Sequence, residues 1–279
     1  MMKAKSSTKI LLHAFLLIMS VISLYPLYIM IVSVFKTASE IALNPGGLPQ
    51  SLSLNNFDRL WSYNSGSILR SYANALFVTV IHTALTIAIS SLAAFAFSKF
   101  RFRGSKVMFI MLLATMMIPT ELGITPLYIM FSRIGWLNTY WVQIVPFSAN
   151  VFAMFMIRQY MNSIDNALLE SAIIDGASHP RTFASIMLPC CKPILGATAL
   201  LVALSKFNDY LWPKIMVTDP DYVPIMVILP TMSEKTDIFV IPKELVMTGC
   251  AIVIIPLLIL FISLQDTFMS SVTIGSVKG

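Results

Sequence analysis

Few side chains in this chain could carry chemistry: 3 His, 3 Cys and 13 acidic residues among 279. Cys190, Cys191 and Cys250 give neither an even framework nor a ligand spacing, because the adjacent pair has no second pair to complete a zinc site. They are expected to pack as small buried thiols. An intramembrane serine protease would need a serine nucleophile facing a histidine base. His13 and His82 do fall in apolar runs, but no GxSx-type setting accompanies either, and His179 lies in a polar segment. No GxxxxGKS/T loop is present to cradle a phosphate, so this chain is not expected to hydrolyse ATP. The sequence therefore predicts no catalytic residue, no metal site and no cofactor of its own.

Two sets of polar residues remain. The first is Glu170-Ser-Ala-Ile-Ile-Asp-Gly-Ala-Ser178, followed by Ile186-Met-Leu-Pro189, a polar-punctuated stretch between long apolar runs. Its chemistry is docking. The second set is Glu121, Asn150, Asn208 and Asp209, with His82 a weaker member, all inside or at the edge of apolar runs. Polar groups are costly in a bilayer and mark solute pathways. The competing reading is that they satisfy kinked backbone or face an interface.

The elements that must position these residues are membrane spans. Hydrophobic residues make up 57% of the chain and charged residues 11%, against about 25% charged in soluble domains. Six apolar runs are long enough to cross a bilayer, at about 20 residues each: Ile10–Phe35, Ser71–Phe97, Val107–Ile129, Tyr140–Ile157, Pro193–Leu211 and Leu245–Gln265. The first follows Lys3, Lys5 and Lys9 but lacks a small-x-small cleavage site, so it reads as a retained span. The fold class predicted is all-α, polytopic, with one transmembrane domain over 1–279.

Net charge is +6, but the basic residues cluster at the ends of apolar runs, which argues for topology and against nucleic acid. Lys99, Arg101, Arg103 and Lys106 crowd one tight connection, and Arg158, Arg181 and Lys192 another. Placing these inside puts both termini in the cytoplasm. Asp219, Asp221, Glu234 and Asp237 then fall outside. Pro26, Pro119, Pro126, Pro146 and Pro256 are expected to kink their spans.

Residues 158–192 are predicted to form a cytoplasmic elbow. Asp165 can cap a helix running from Asn166 to Asp175, with Leu168, Leu169, Ala172 and Ile173 as its apolar face. Gly176 can take the left-handed conformation that ends it. Ser178 can cap a second helix with Pro180 in its first turn, and Pro189 is expected to break that helix before span five. On periodicity alone, an interfacial hairpin without a partner fits equally well.

Residue identities decide between them. Glu170, Ala172, Asp175, Gly176, Ala177, Phe183, Ile186, Leu188 and Pro189 resemble the EAA coupling loop of carbohydrate-type ABC importer permeases. Ser171 replaces the usual alanine, and Asp165 stands where the family commonly has proline. The resemblance covers nearly the whole chain. It includes Ser33–Ile41, Asn56-Phe57 through Trp61, Asn74, Pro119-Thr-Glu121 with Pro126-Leu-Tyr128, Asn208-Asp209 with Leu211-Trp212-Pro213, and the tail Gly275–Gly279. Together these resemble the smaller, six-span permease of the maltose-transporter type.

That resemblance implies a heterodimer with a second permease, two copies of a cytoplasmic ATPase that binds ATP and Mg, and an extracytoplasmic solute-binding protein delivering a carbohydrate. It implies a bacterial cytoplasmic membrane location. Coupling would run through Glu170, Ser171, Ala172, Asp175, Gly176, Ala177, Leu188 and Pro189. Carbohydrates favour aromatic faces beside hydrogen-bonding groups, so Tyr128 and Trp212 join Glu121, Asn150, Asn208 and Asp209 as pathway candidates. A permease for a polyamine, amino acid or phosphate ester is the nearest alternative. An ion-driven secondary transporter would not need the elbow.

Overall fold

A computed structural model of the chain describes residues 6–63, 67–234 and 242–276. Lys3, Lys5, Asp237 and the tail residues Val277, Lys278 and Gly279 lie outside the described residues. All regular elements among those described are helical: α1 Ser6–Ser33, α2 Ala38–Leu43, α3 Asn55–Ser62, α4 Ser67–Lys99, α5 Ser105–Thr115, α6 Ile124–Arg133, α7 Tyr140–Ile144, α8 Val151–Asn162 and α9 Ala167–Ile174. They continue with α10 His179–Cys190, α11 Lys192–Phe207, α12 Leu211–Met216, α13 Ile225–Glu234 and α14 Lys243–Ser276. Among the described residues three helices are long and apolar enough to cross a membrane, or five where each of two bent pairs counts as one.

The chain divides into two compact units. One comprises residues 1–69 and 228–255. Here α1 leaves its apolar side chains exposed from Ile10 to Ile31, a surface suited to lipid or another helix. Just beyond it Lys36 is buried, and its ammonium donates to the carbonyls of Asn44 at 2.8 Å, Pro45 at 3.2 Å and Gly47 at 2.5 Å. Asn56 Nδ2 ties the same segment down by donating to the carbonyls of Val34 and Lys36, both at 2.8 Å. Peptide dipoles thus solvate a charge that burial would otherwise penalise. Arg59 pairs with the buried Glu244 at 3.0 Å. α13 passes close to α14 at Gly249, where a β-carbon would stand 2.3 Å from Leu229 Cδ2 and the leucine side chain would have to turn aside.

The other unit comprises residues 70–227 and 256–279. Its longest element, α4, buries Ser71, Ala75, Thr79, His82, Thr86, Ser90 and Ala94 along one face. Small and hydroxyl side chains at three- and four-residue spacing allow close helix approach where lipid gives no hydrophobic drive.

Three predicted spans differ from what is observed. Val107–Ile129 is not continuous: α5 ends at Thr115, and the chain bends by 88° before α6. Pro119 lacks an amide hydrogen and pushes Ile118 out of helical geometry. Tyr140–Ile157 is likewise split into α7 and α8 around Pro146 and Phe147. The span predicted as Pro193–Leu211 stops at Phe207, where Asn208 leaves helical geometry at ψ 3° and caps the end, its Nδ2 donating to the Leu204 carbonyl at 2.8 Å. Pro26 and Pro256, by contrast, sit inside unbroken helices. Pro126 falls in the first turn of α6, where its missing donor has no partner to lose.

Candidate functional site

The elbow forms from α9 and α10. Asp165 Oδ1 accepts from the Ala167 amide at 3.0 Å, as its capping chemistry predicts. The first helix ends where Gly176 adopts φ +82°. The Ala177 amide donates to the Ala172 carbonyl at 2.9 Å and the Gly176 amide to the Ile173 carbonyl at 3.0 Å. This is the paired closure of a Schellman turn. Leu169 and Ala172 turn inward, while Leu168, Ile173 and Ile174 remain exposed, Ile174 by 85%. The predicted apolar face is therefore two faces, one for the core and one outward.

Ser178 begins α10 in extended conformation but makes no side-chain cap bond. The helix does not stop at Pro189, as predicted; it continues to Cys190 and breaks at Cys191, with a 78° bend into α11. Residues Phe183–Met187 form a widened π turn in which the Leu188 amide donates to the Phe183 carbonyl. Such a turn makes room for a ring that would clash with the preceding turn. Glu170, Ser171, Asp175 and Pro189 are exposed, Ala177 and Leu188 half-buried.

The elbow rests on a core of Phe95, Met154, Ile157, Met161, Met187, Cys191 and Ile194. Three further contacts brace it. Lys99 Nζ donates to the Ile164 carbonyl and to Asn166 Oδ1 at the start of α9. Phe100 meets the His179 ring edge-on at 5.0 Å. Arg158 Nε donates to the Phe97 carbonyl while its guanidinium lies 3.9 Å from the centre of the Phe109 ring. Part of the basic crowd read as a topology signal is thus structural.

The second feature is a cleft of about 530 Å³. Both interrupted spans open onto it, through Thr115, Met116, Ile118 and Thr120 from one and Phe147, Ala149 and Asn150 from the other. Irregular backbone within a membrane is tolerated where it is buried in protein or lines a watery cavity. Of the predicted pathway residues, Glu121, Asn150, Asp209 and Trp212 line the cleft; Tyr128 and Asn208 do not. Asn150 Oδ1 also caps α8, accepting from Ala153 N at 2.8 Å. Trp212 is nearly buried, its indole N–H donating to the Val142 carbonyl at 2.8 Å. His82 lines the cleft, its Nδ1–H donating to the Ile144 carbonyl at 2.7 Å.

Two lining residues were missed from sequence. Lys206 pairs with Asp209 at 3.0 Å, its side chain 8% exposed. The three-residue spacing was a readable signal. Phe147 stands at φ +64° and is 40% exposed, and nothing in its neighbours marks it.

A helical chain with a broken-span cleft and an outward elbow is built for moving solutes. A match to the family described as binding-protein-dependent transport system inner membrane component covers residues 86–273. The chain belongs to that family. It is similar to the arabinooligosaccharides transport system permease protein AraQ of Bacillus subtilis (strain 168), 30% identical over 97% of this chain and 96% of that one. It also resembles the maltodextrin transport system permease protein MdxG of the same organism, 31% identical over 99% and 98% of the two chains. A bacterial ABC transporter that imports the acidic polysaccharide alginate contains a chain of the same fold, with TM-score 0.85 and 23% identity, covering 96% of this chain and 100% of that chain.

Proposed function

We propose that this chain is one permease half of an ATP-driven importer of carbohydrate. It spans the membrane six times with both termini in the cytoplasm, through α1, α4, α5 with α6, α7 with α8, α11 and α14. It pairs with a second permease, takes substrate from an extracytoplasmic solute-binding protein, and rides on two copies of an ABC ATPase that bind ATP and Mg. The observation that carries the reading is the elbow: a glycine-closed helix pair whose outer apolar side chains Leu168, Ile173 and Ile174 stay exposed among the described residues. Glu170 beside them adds a charge for a partner's cation. Sugar as the solute is carried over from the oligosaccharide permeases it resembles.

ATP binding would close the ATPase dimer and move the elbow, and α10 and α11 would carry that movement to the cleft. A partner can only shift such an equilibrium by binding the two states unequally. The test is uptake of radiolabelled trisaccharide by cells or proteoliposomes holding the full assembly. Uptake should stop on ATP depletion and persist with a protonophore. Uptake driven by an ion gradient without ATP would overturn the reading.

A further inference from the structure

We infer that Phe147 is the platform on which a neutral sugar ring lies in the cleft, with Asp209, Lys206 and Glu121 around it to take the sugar's hydroxyls. This rests on the carbohydrate reading above and goes beyond it in naming the residue and the substrate class.

The backbone is the first observation. A residue with a bulky side chain at φ +64° crowds its β-carbon against its own peptide groups. Such strain persists only where the surroundings hold it, and it gathers at functional sites. In this conformation Phe147, 40% exposed as a residue, lines the cleft at the break of a span. Its neighbours make that ring a firm surface. Trp212 backs it edge-on at 5.0 Å, is itself 5% exposed, and is pinned through its indole N–H. Phe131 stands against Trp212 at 6.0 Å, and Trp136 stacks on Phe131.

The second observation is the polar complement. A pyranose or furanose presents C–H groups on one face and hydroxyls around its edge. The negative face of an aromatic ring attracts the former. Carboxylates accept from hydroxyls, and an ammonium donates to them. Asp209 and Lys206 supply both as a fixed pair at 3.0 Å, and Glu121 supplies a second carboxylate. Two acids against one base leave the cleft one negative charge in excess. A uronate or a phosphorylated sugar would meet repulsion. Neutral sugars fit.

Neither aromatic chosen from sequence can serve. Trp212 is covered, and Tyr128 does not line the cleft.

The experiment measures uptake per assembled complex with radiolabelled maltotriose and arabinotriose as probes, and a trisaccharide of uronic acids as control. Phe147→Tyr keeps a ring face and should retain uptake. Phe147→Leu keeps apolar bulk without one and should lose about three- to tenfold, the worth of a ring contact. Phe147→Gly relieves the backbone, which offsets the packing it loses against Trp212, so it should assemble with a melting point near that of Leu while transporting as poorly. Uptake by Leu equal to that by Tyr overturns the platform. So does a Leu or Gly variant that sheds the second permease on purification, which would mark an interface residue. Free passage of the uronate overturns the neutral class alone. Wild type carrying neither neutral probe removes the sugar reading beneath it.

Discussion

Lys99 and Asn166 join the end of α4 to the start of the elbow. The ammonium donates to Asn166 Oδ1 at 2.9 Å and to the neighbouring Ile164 carbonyl at 2.8 Å. Removing Lys99 leaves that carbonyl short of a partner, at a cost of about 1–3 kcal/mol. Lys99→Ala should insert normally yet transport weakly, and Lys99→Arg should recover part of the loss. Transport normalised to inserted protein is the measure, and full activity in the alanine variant would remove the brace from the mechanism.

Gly176 offers a cleaner test of the turn. A β-carbon there meets nothing within 4 Å, so a substitution brings backbone strain without a clash. That strain is about 1–3 kcal/mol. Gly176→Val should abolish uptake while the protein remains in the membrane. Gly176→Asn, whose side chain tolerates left-handed backbone, should keep more. Equal uptake by Val and Asn would show that the turn's handedness is irrelevant to coupling.

Glu170 is exposed and makes no ion pair among the described residues. Its charge is free for a partner. Glu170→Lys is expected to reduce ATPase recovered by pull-down of the permease pair, without changing the melting of the pair itself. Undiminished recovery would reassign Glu170 to a solvated helix face.

Asp209→Ala strands the Lys206 ammonium, whose side chain is 8% exposed. Because Asp209 keeps 24% exposure, the destabilisation should be about 1–3 kcal/mol, below that of a fully buried pair. The double change Lys206→Met with Asp209→Asn removes both charges and should melt above the single variant in detergent. A double variant no better than the single would mean the pair is not coupled.

Most of the fold was legible because a span is announced by about 20 apolar residues, as in α1, α4 and α14. The glycine turn was legible for a similar reason: Gly176 stands where an amphipathic period stops. The breaks were not. Pro26 and Pro256 lie inside continuous helices while Pro119 and Pro146 interrupt theirs, so proline alone does not distinguish a kink from a break. Packing around it decides. Phe147 was invisible for a related reason, since left-handed backbone is expected at Gly or Asn, as at Asn138 with φ 56°. Lys99 looked like a topology signal because its acceptors lie 65 and 67 residues away.

The two interrupted helices have a consequence for permeability. Peptide groups freed from helical pairing need a partner even when no solute is present. Protein donors meet part of that need, His82 at the Ile144 carbonyl and Trp212 at the Val142 carbonyl, and a polar, roomy cleft favours water for the remainder. A wet hollow inside a membrane cannot be its own seal. Leakage of ions must be stopped at its ends, one of which always has to be shut.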